Sequence, residues 1–269
     1  MQYSQQYFDT DSKLFYAWFE AMFTRIDIAI CTTAKRDDLV EIVSEIERII
    51  LKYECIGNYF DPESEISKVN DSTFENENEI SISTELCELL VECLMYNHNT
   101  MGYFDITVYS SVELKNSVDK YAVNVQNSTV KFLRKGVRLN LSGFLKGFVL
   151  GKIKEYIDNK NIESILINIG NSSILAKGNH PFGSGWKIRV PQTENECILF
   201  DECLTSSGNS DVSKWPIVNP KNGSITMNKE MVSVITKTPS QGEVLSKVAF
   251  LAKAAEMNLV FEQFNAHLI

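Results

Sequence analysis

Residues 139–151, Leu-Asn-Leu-Ser-Gly-Phe-Leu-Lys-Gly-Phe-Val-Leu-Gly, constrain the fold of this chain more than any other stretch. Val137, Leu139 and Leu141 alternate as in a half-buried strand. After Ser142-Gly143 the spacing becomes helical, with Phe144, Phe148, Ile153 and Ile157 recurring along one face. A strand is therefore expected to feed directly into a packed helix. Gly143 lets other groups approach the backbone closely, and a helix start offers N–H groups and the positive dipole end to an anion. Lys146 stands in that first turn, where a cation opposes the dipole. Either a negative group such as a phosphate lies nearby, or a solvated lysine rides on a glycine-started helix. The segment alone leaves both readings open.

Other strand-like runs occupy 25–31, 122–126, 129–133, 164–169, 186–190, 197–200 and 231–237. Helical patterns cover 36–53, 63–70, 83–98, 144–158 and 240–255. Turn signals at Gln126-Asn127 and Lys221-Asn222-Gly223 suit hairpins. Helices lie between groups of hairpin-prone strands, which predicts an α+β architecture over a doubly wound sheet. No linker, repeat or composition shift divides the chain, so 1–269 reads as one domain.

A net charge of −9 without any basic stripe argues against nucleic acid as a partner. The six cysteines form no C-x-x-C pair, and Cys31, Cys87 and Cys93 sit among apolar residues as buried free thiols would. The three histidines have no ligand-like spacing, so no zinc site is expected. No apolar run approaches the ~20 residues that span a bilayer. The polar start, Met1-Gln2-Tyr3-Ser4-Gln5, lacks a basic n-region. The expectation is a cytoplasmic chain, periplasmic or membrane-anchored only if an export signal has been trimmed.

Polar residues recur where core strands do not call for them. In order, these are Met22-Phe23-Thr24, Ser64-Glu65-Ile66-Ser67-Lys68-Val69-Asn70, Gly102-Tyr103-Phe104-Asp105-Ile106-Thr107, Ser142-Gly143-Phe144-Leu145-Lys146-Gly147, Asn168-Ile169-Gly170-Asn171-Ser172, Ser206-Ser207-Gly208 and Asn219-Pro220-Lys221-Asn222-Gly223. Taken together over about residues 20–255, the series resembles the ApbE family of FAD:protein FMN transferases, bacterial flavin-handling enzymes. The resemblance implies two intimate lobes of mixed or antiparallel sheet with flanking helices and a flavin-binding cleft between them. It also implies transfer of the FMN half of FAD onto a Thr or Ser of an acceptor protein, with release of AMP and help from Mg²⁺. Carried over by position, Lys146 and Asp105 would be catalytic. Met22, Phe60, Asp105, Thr107, Ser142, Gly143, Lys146, Gly170, Asn171 and Ser207 would bind the flavin nucleotide. A metal would take the Leu145 backbone carbonyl and Glu243. The plainer roles stay open beside these: Met22 and Phe60 as core, Asp105 as a turn cap, Thr107 as strand packing and Gly170 as a strand end.

Several positions depart from the family pattern, and they fall on the chemistry. Phe23 stands for the glycine of Met-Gly-Thr, Ser142 for the first glycine of Gly-Gly-Ile-Ala-Lys-Gly, and Gly170-Asn171-Ser172 for Gly-Gly-Asp. Pro216 and Asn219 replace a histidine and an aspartate, and neither does general-base work at neutral pH. Ala-Asp-Ala-Leu-Ser-Thr reads Gly242-Glu243-Val244-Leu245-Ser246-Lys247. A protonated lysine has no lone pair for a metal. Glu243 and Lys247, four apart, are expected to pair on the helix surface, or the ammonium takes the place of the cation. Three readings follow: a metal-poor transferase, a flavin binder without turnover, and a scaffold whose cleft no longer admits flavin.

Overall fold

The computed structural model describes residues 2–8, 12–72, 79–110, 120–208, 216–225 and 231–269. The chain runs β1 (Gln2–Phe8), β2 (Ser12–Ala21), β3 (Thr24–Thr32), α1 (Arg36–Gly57), α2 (Glu65–Ser72), β4 (Ile80–Ser81), α3 (Thr84–Asn99), β5 (Tyr121–Asn124) and β6 (Thr129–Phe132). It continues through α4 (Leu145–Asn159), β7 (Ile165–Ile169), β8 (Ser173–Lys177), β9 (Trp186–Arg189), β10 (Glu196–Leu199), β11 (Glu202–Ser207), β12 (Val232–Thr236), α5 (Pro239–Leu251), α6 (Ala254–Phe264) and β13 (His267–Leu268). This is a mixed α+β fold, as the element order predicts.

Eight strands form one sheet in the order β1-β2-β3-β7-β8-β11-β12-β13, every neighbouring pair antiparallel. Third in that order is β3, where Ile26, Ile28 and Ile30 alternate inward with no exposed surface. Burying such a side chain is worth about 2–3 kcal/mol. The α1 stripe of Leu39, Val43, Ile46 and Ile50 joins the same apolar cluster, as do Phe144, Phe148, Ile153 and Ile157 beside or on α4. The alternation that sends those isoleucines inward leaves Cys31 only half-buried, in contrast to the expectation; Cys87 and Cys93 are buried and all six thiols are free.

Two expected elements differ. Residues 137–141 form no strand, although Val137, Leu139 and Leu141 are fully buried. Side chains and loops take the place of a partner strand: Asn70 Nδ2 donates to the Leu139 carbonyl (2.8 Å) and Leu139 N–H donates to Asn70 Oδ1 (2.7 Å). Arg138 N–H donates to Ser110 Oγ and Asn140 N–H to the Ile106 carbonyl. The last asparagine of Ser64–Asn70 is thus a backbone mimic that satisfies a buried extended segment. The helix expected over 240–255 ends at Leu251, because Ala252 and Lys253 are extended before α6 begins. The Lys221-Asn222-Gly223 turn, a hairpin signal in the sequence, closes an antiparallel bridge from Val218 to Ile225.

Candidate active site, a cation-lined cavity at one end of the sheet

Because the strands alternate in direction, the β2–β3 turn, the β7–β8 turn, the end of β11 and the start of β12 all meet at one end of the sheet. The N-terminus of α4 and the middle of α5 border the same space. The result is an open cavity of about 1370 Å³, lined by Met22, Phe60, Ser142, Gly143, Lys146, Gly170, Asn171, Ser207, Glu243 and Lys247 among others. Residues from nearly opposite ends of the sequence, Met22 and Lys247, are therefore brought to one space. Asp105, Thr107 and Leu145 do not line it.

The β2–β3 turn is the two-residue kind whose central residues both have positive φ, Met22 at 52° and Phe23 at 57°. Neither is glycine, and a left-handed conformation costs a residue with a Cβ about 1–2 kcal/mol. Glu54 Oε1 pins the turn by accepting from the Met22 N–H at 2.9 Å. Phe23, 81% exposed, meets Phe60 edge to face with ring centroids 6.5 Å apart at the cavity mouth. Gly170, at φ 62°, packs so tightly on β3 that a Cβ would lie 2.5 Å from Thr24 Oγ1. Asn171 turns its side chain onto Asn168. Lys146 donates from Nζ to Ser172 Oγ, and Ser207 shares a hydroxyl–hydroxyl bond with Ser246 (2.8 Å).

The Glu243–Lys247 pair forms, but it lies on no outer surface. Its side chains are 6% and 17% exposed and face the cavity. Lys247 Nζ donates to the Glu243 carbonyl (2.9 Å) and to Glu243 Oε2 (3.2 Å), while Ser173 Oγ donates to Oε1 (2.5 Å). The expected solvent-facing position is overturned by the packing of α5 on two glycines, Gly143 in the turn before α4 and Gly147 in its first turn. A Cβ on Gly143 would fall 2.7 Å from Lys247 Cε, and one on Gly147 would fall 2.6 Å from both Glu243 Cγ and the Pro239 carbonyl oxygen.

Asp105 and Thr107 belong to a neighbouring region. Asp105 Oδ2 pairs with Lys120 Nζ at 2.6 Å, and its Oδ1 accepts from the Thr107 N–H and hydroxyl at 2.8 and 2.6 Å. Thr107 is buried, while Asp105 borders a smaller cavity of about 180 Å³ that Ser142, Gly143 and Lys247 share with the large one. Tyr103 and Tyr109 also line it. Burial pushes both phenols up to about 12, and the bond that Tyr103 donates to Glu256 adds to its shift. Leu145 opens α4 with its side chain buried beside Gly57, and it lines neither cavity.

Other residues of the site were not singled out from sequence. Asn140 is buried against the small cavity; its Oδ1 accepts from the Ser142 N–H, and its Nδ2 has no hydrogen-bond partner among the described residues. An asparagine inside the alternation Val137-Leu139-Leu141 is the signal that marks it. Ser173 and Glu54, which hold Glu243 and Met22, carry no comparable signal. Lys187 and Arg189 of β9 form a further wall of the large cavity. Asn219, which the sequence sets in place of the family's aspartate, lines neither cavity and turns its side chain to its own loop, accepting from the Lys221 N–H at 3.0 Å.

The donor chemistry does not suit a divalent metal at α5. Glu243 is the carboxylate that α5 gives the large cavity, Lys247 fills the space beside it, and no group of three or more His, Cys, Asp or Glu able to hold a metal exists among the described residues. Among the described residues, no helix is long and apolar enough to cross a membrane.

An antiparallel α+β scaffold with a cation-bearing cavity at the end of its sheet defines the class of protein. The comparisons place it within that class: the ApbE family pattern matches residues 22–268, and the chain belongs to the ApbE family. It is 26% identical over 179 residues to the FAD:protein FMN transferase of Haemophilus influenzae, covering 56% of this chain and 51% of that one. It is 28% identical over 202 residues to the Chlamydia muridarum FAD:protein FMN transferase, covering 66% and 61%. The matched stretch thus spans only between half and two thirds of those relatives' length. The fold matches the flavin transferase ApbE of Vibrio cholerae with a TM-score of 0.78 at 17% identity, over 99% of this chain and 93% of that one. It matches the apo flavinyl transferase ApbE of Pseudomonas stutzeri with a TM-score of 0.80 at 14% identity, over 97% and 92%.

Proposed function

We propose that this chain binds FAD in the large cavity and transfers its FMN half to a protein Thr or Ser. The observation that carries the reading is the pair of lysines, Lys146 and Lys247, on one cavity whose mouth holds Phe23 and Phe60. Two ammonium groups suit a pyrophosphate, and exposed phenyl rings suit a planar base. In the reaction, the acceptor hydroxyl oxygen forms a bond to the phosphorus of the FMN half. The bond from that phosphorus to the bridging oxygen breaks, its electron pair leaves with AMP, and the hydroxyl proton passes to water. Such a transfer depends on positioning and charge neutralisation more than on covalent help. Lys146, steadied by Ser172, would hold the pyrophosphate, and Ser142 and Gly143 would let it approach α4.

A second reading has its own support. Asn219, which stands for the family's aspartate, spends its side chain on a turn, and Pro216 offers no base. That favours a flavin binder that has lost turnover. Titration with FAD and riboflavin, followed by chromatography for AMP with a threonine peptide offered as acceptor, separates the readings. FAD binding at least about tenfold tighter than riboflavin, with AMP released, is the expected result. Binding without AMP selects the second reading. Absence of binding removes both and leaves a scaffold.

A further inference from the structure

Lys247 occupies an unusual position. Its stem lies in the trough left by Gly143, so closely that a single methyl there would strike Cε at 2.7 Å. Its ammonium is anchored on Glu243 by two bonds, and Glu243 is in turn fixed by Ser173. An ammonium has three N–H donors. Among the described residues the two bonds to Glu243 are its hydrogen bonds, which leaves one donor for a ligand. Lys247 also borders both cavities, so that donor sits where they join.

Stability gives little reason for this arrangement. On a helix surface an i,i+4 Glu–Lys pair contributes a few tenths of a kcal/mol, and a buried ion pair is often no better than apolar residues of the same size. The geometry makes sense if the ammonium serves a ligand. Resting on the nucleotide reading above, we infer that Lys247 is a built-in cation for the pyrophosphate, and that it replaces a divalent metal at this end of α5. Charge counting sharpens the inference. A divalent ion beside one carboxylate leaves a net charge of +1, whereas Lys247 beside Glu243 leaves zero. The pyrophosphate is then held by the spare N–H of Lys247 and by the ammonium of Lys146. This chain should hold FAD without metal and fail to gain from one.

The test is calorimetric titration of the whole chain with FAD, in EDTA and in millimolar Mg²⁺, with riboflavin as the phosphate-free control. The unaltered protein is expected to bind FAD equally in both buffers. Lys247→Met should weaken FAD about tenfold or more while leaving riboflavin unchanged, since a hydrogen bond to a charged group is lost. Glu243→Asp with Lys247→Thr keeps a carboxylate and puts a hydroxyl in place of the ammonium, and should make FAD binding stronger in Mg²⁺ than in EDTA. Unaltered protein that binds FAD about tenfold more weakly in EDTA overturns the inference and leaves the flavin reading intact. So does a Lys247→Met variant with normal FAD affinity, and a double variant that folds and binds FAD but ignores Mg²⁺ counts equally against it. Should the double variant fail to fold, the buffer comparison on the unaltered protein decides alone. Failure of the unaltered protein to bind FAD in either buffer removes the flavin reading and this inference with it.

Discussion

Two buried lysine–carboxylate pairs each place one member on the small cavity, and they are built differently. Asp105–Lys120 is closed: one carboxylate oxygen takes two bonds from Thr107, the other takes the ammonium, and Lys120 is only 7% exposed. Glu243–Lys247 is open: the carboxylate is held from behind by Ser173, while the lysine borders two cavities. The first fixes the 105–107 turn to the segment before β5. The second presents a cation. Distance alone would not separate them, since both are contacts of 3.2 Å or less. The connections of each partner do.

The largest expected effect comes from breaking the closed pair. Lys120→Met strands the Asp105 carboxylate in a buried site and should cost about 3–5 kcal/mol in denaturant unfolding. Lys247→Met leaves Glu243, itself buried, with its bond from Ser173 and should cost about 2–3 kcal/mol, but it alone should weaken FAD binding. Equal losses of FAD affinity in the two variants would erase the distinction. Gly143→Ala probes the open pair from the turn before α4. The new methyl displaces the flexible end of Lys247, so a loss of about 1 kcal/mol is expected together with several-fold weaker FAD binding. Unchanged FAD affinity would show that the ammonium's position does not matter.

Glu92 gives a smaller effect and a third case, a carboxylate of α3 beside the Ser240 and Tyr96 hydroxyls. Burial raises its pKa more than those hydroxyls and Lys152 lower it. Its neutral form is therefore favoured in the folded state, and stability is lost as pH rises from the unfolded value of about 4.3 through the higher folded one. Glu92→Gln cannot titrate, so it should gain on the unaltered protein as pH rises above about 4 in thermal unfolding. A gap that stays constant with pH would place the charge elsewhere.

Much of this was legible in sequence, for identifiable reasons. The long helices carry clear 3.6-residue stripes, and α1, α3 and α4 start within a residue or two of their expected positions. The ordered motifs pointed to the family, and several of them supply a turn or helix start at the same end of the sheet. Residues 137–141 misled because alternation reports burial, and here the amide of Asn70 supplies the bonds that a strand would. The spacing of Glu243 and Lys247 gave their pairing but not the side of the helix they occupy. That side is set by Gly143 and Gly147, at the start of another helix, a relation no local pattern carries. Spacing meets the same limit at Asp105: Lys120, 15 residues further along the chain, becomes its partner only through the fold.

The central claim is a flavin-nucleotide site whose cation is a side chain. Its most direct test is calorimetric titration of the unaltered protein with FAD, once in EDTA and once in Mg²⁺, with AMP measured on the same samples. Saturable binding of equal affinity in both buffers is the predicted result. Tight binding that appears only with Mg²⁺ would contradict it.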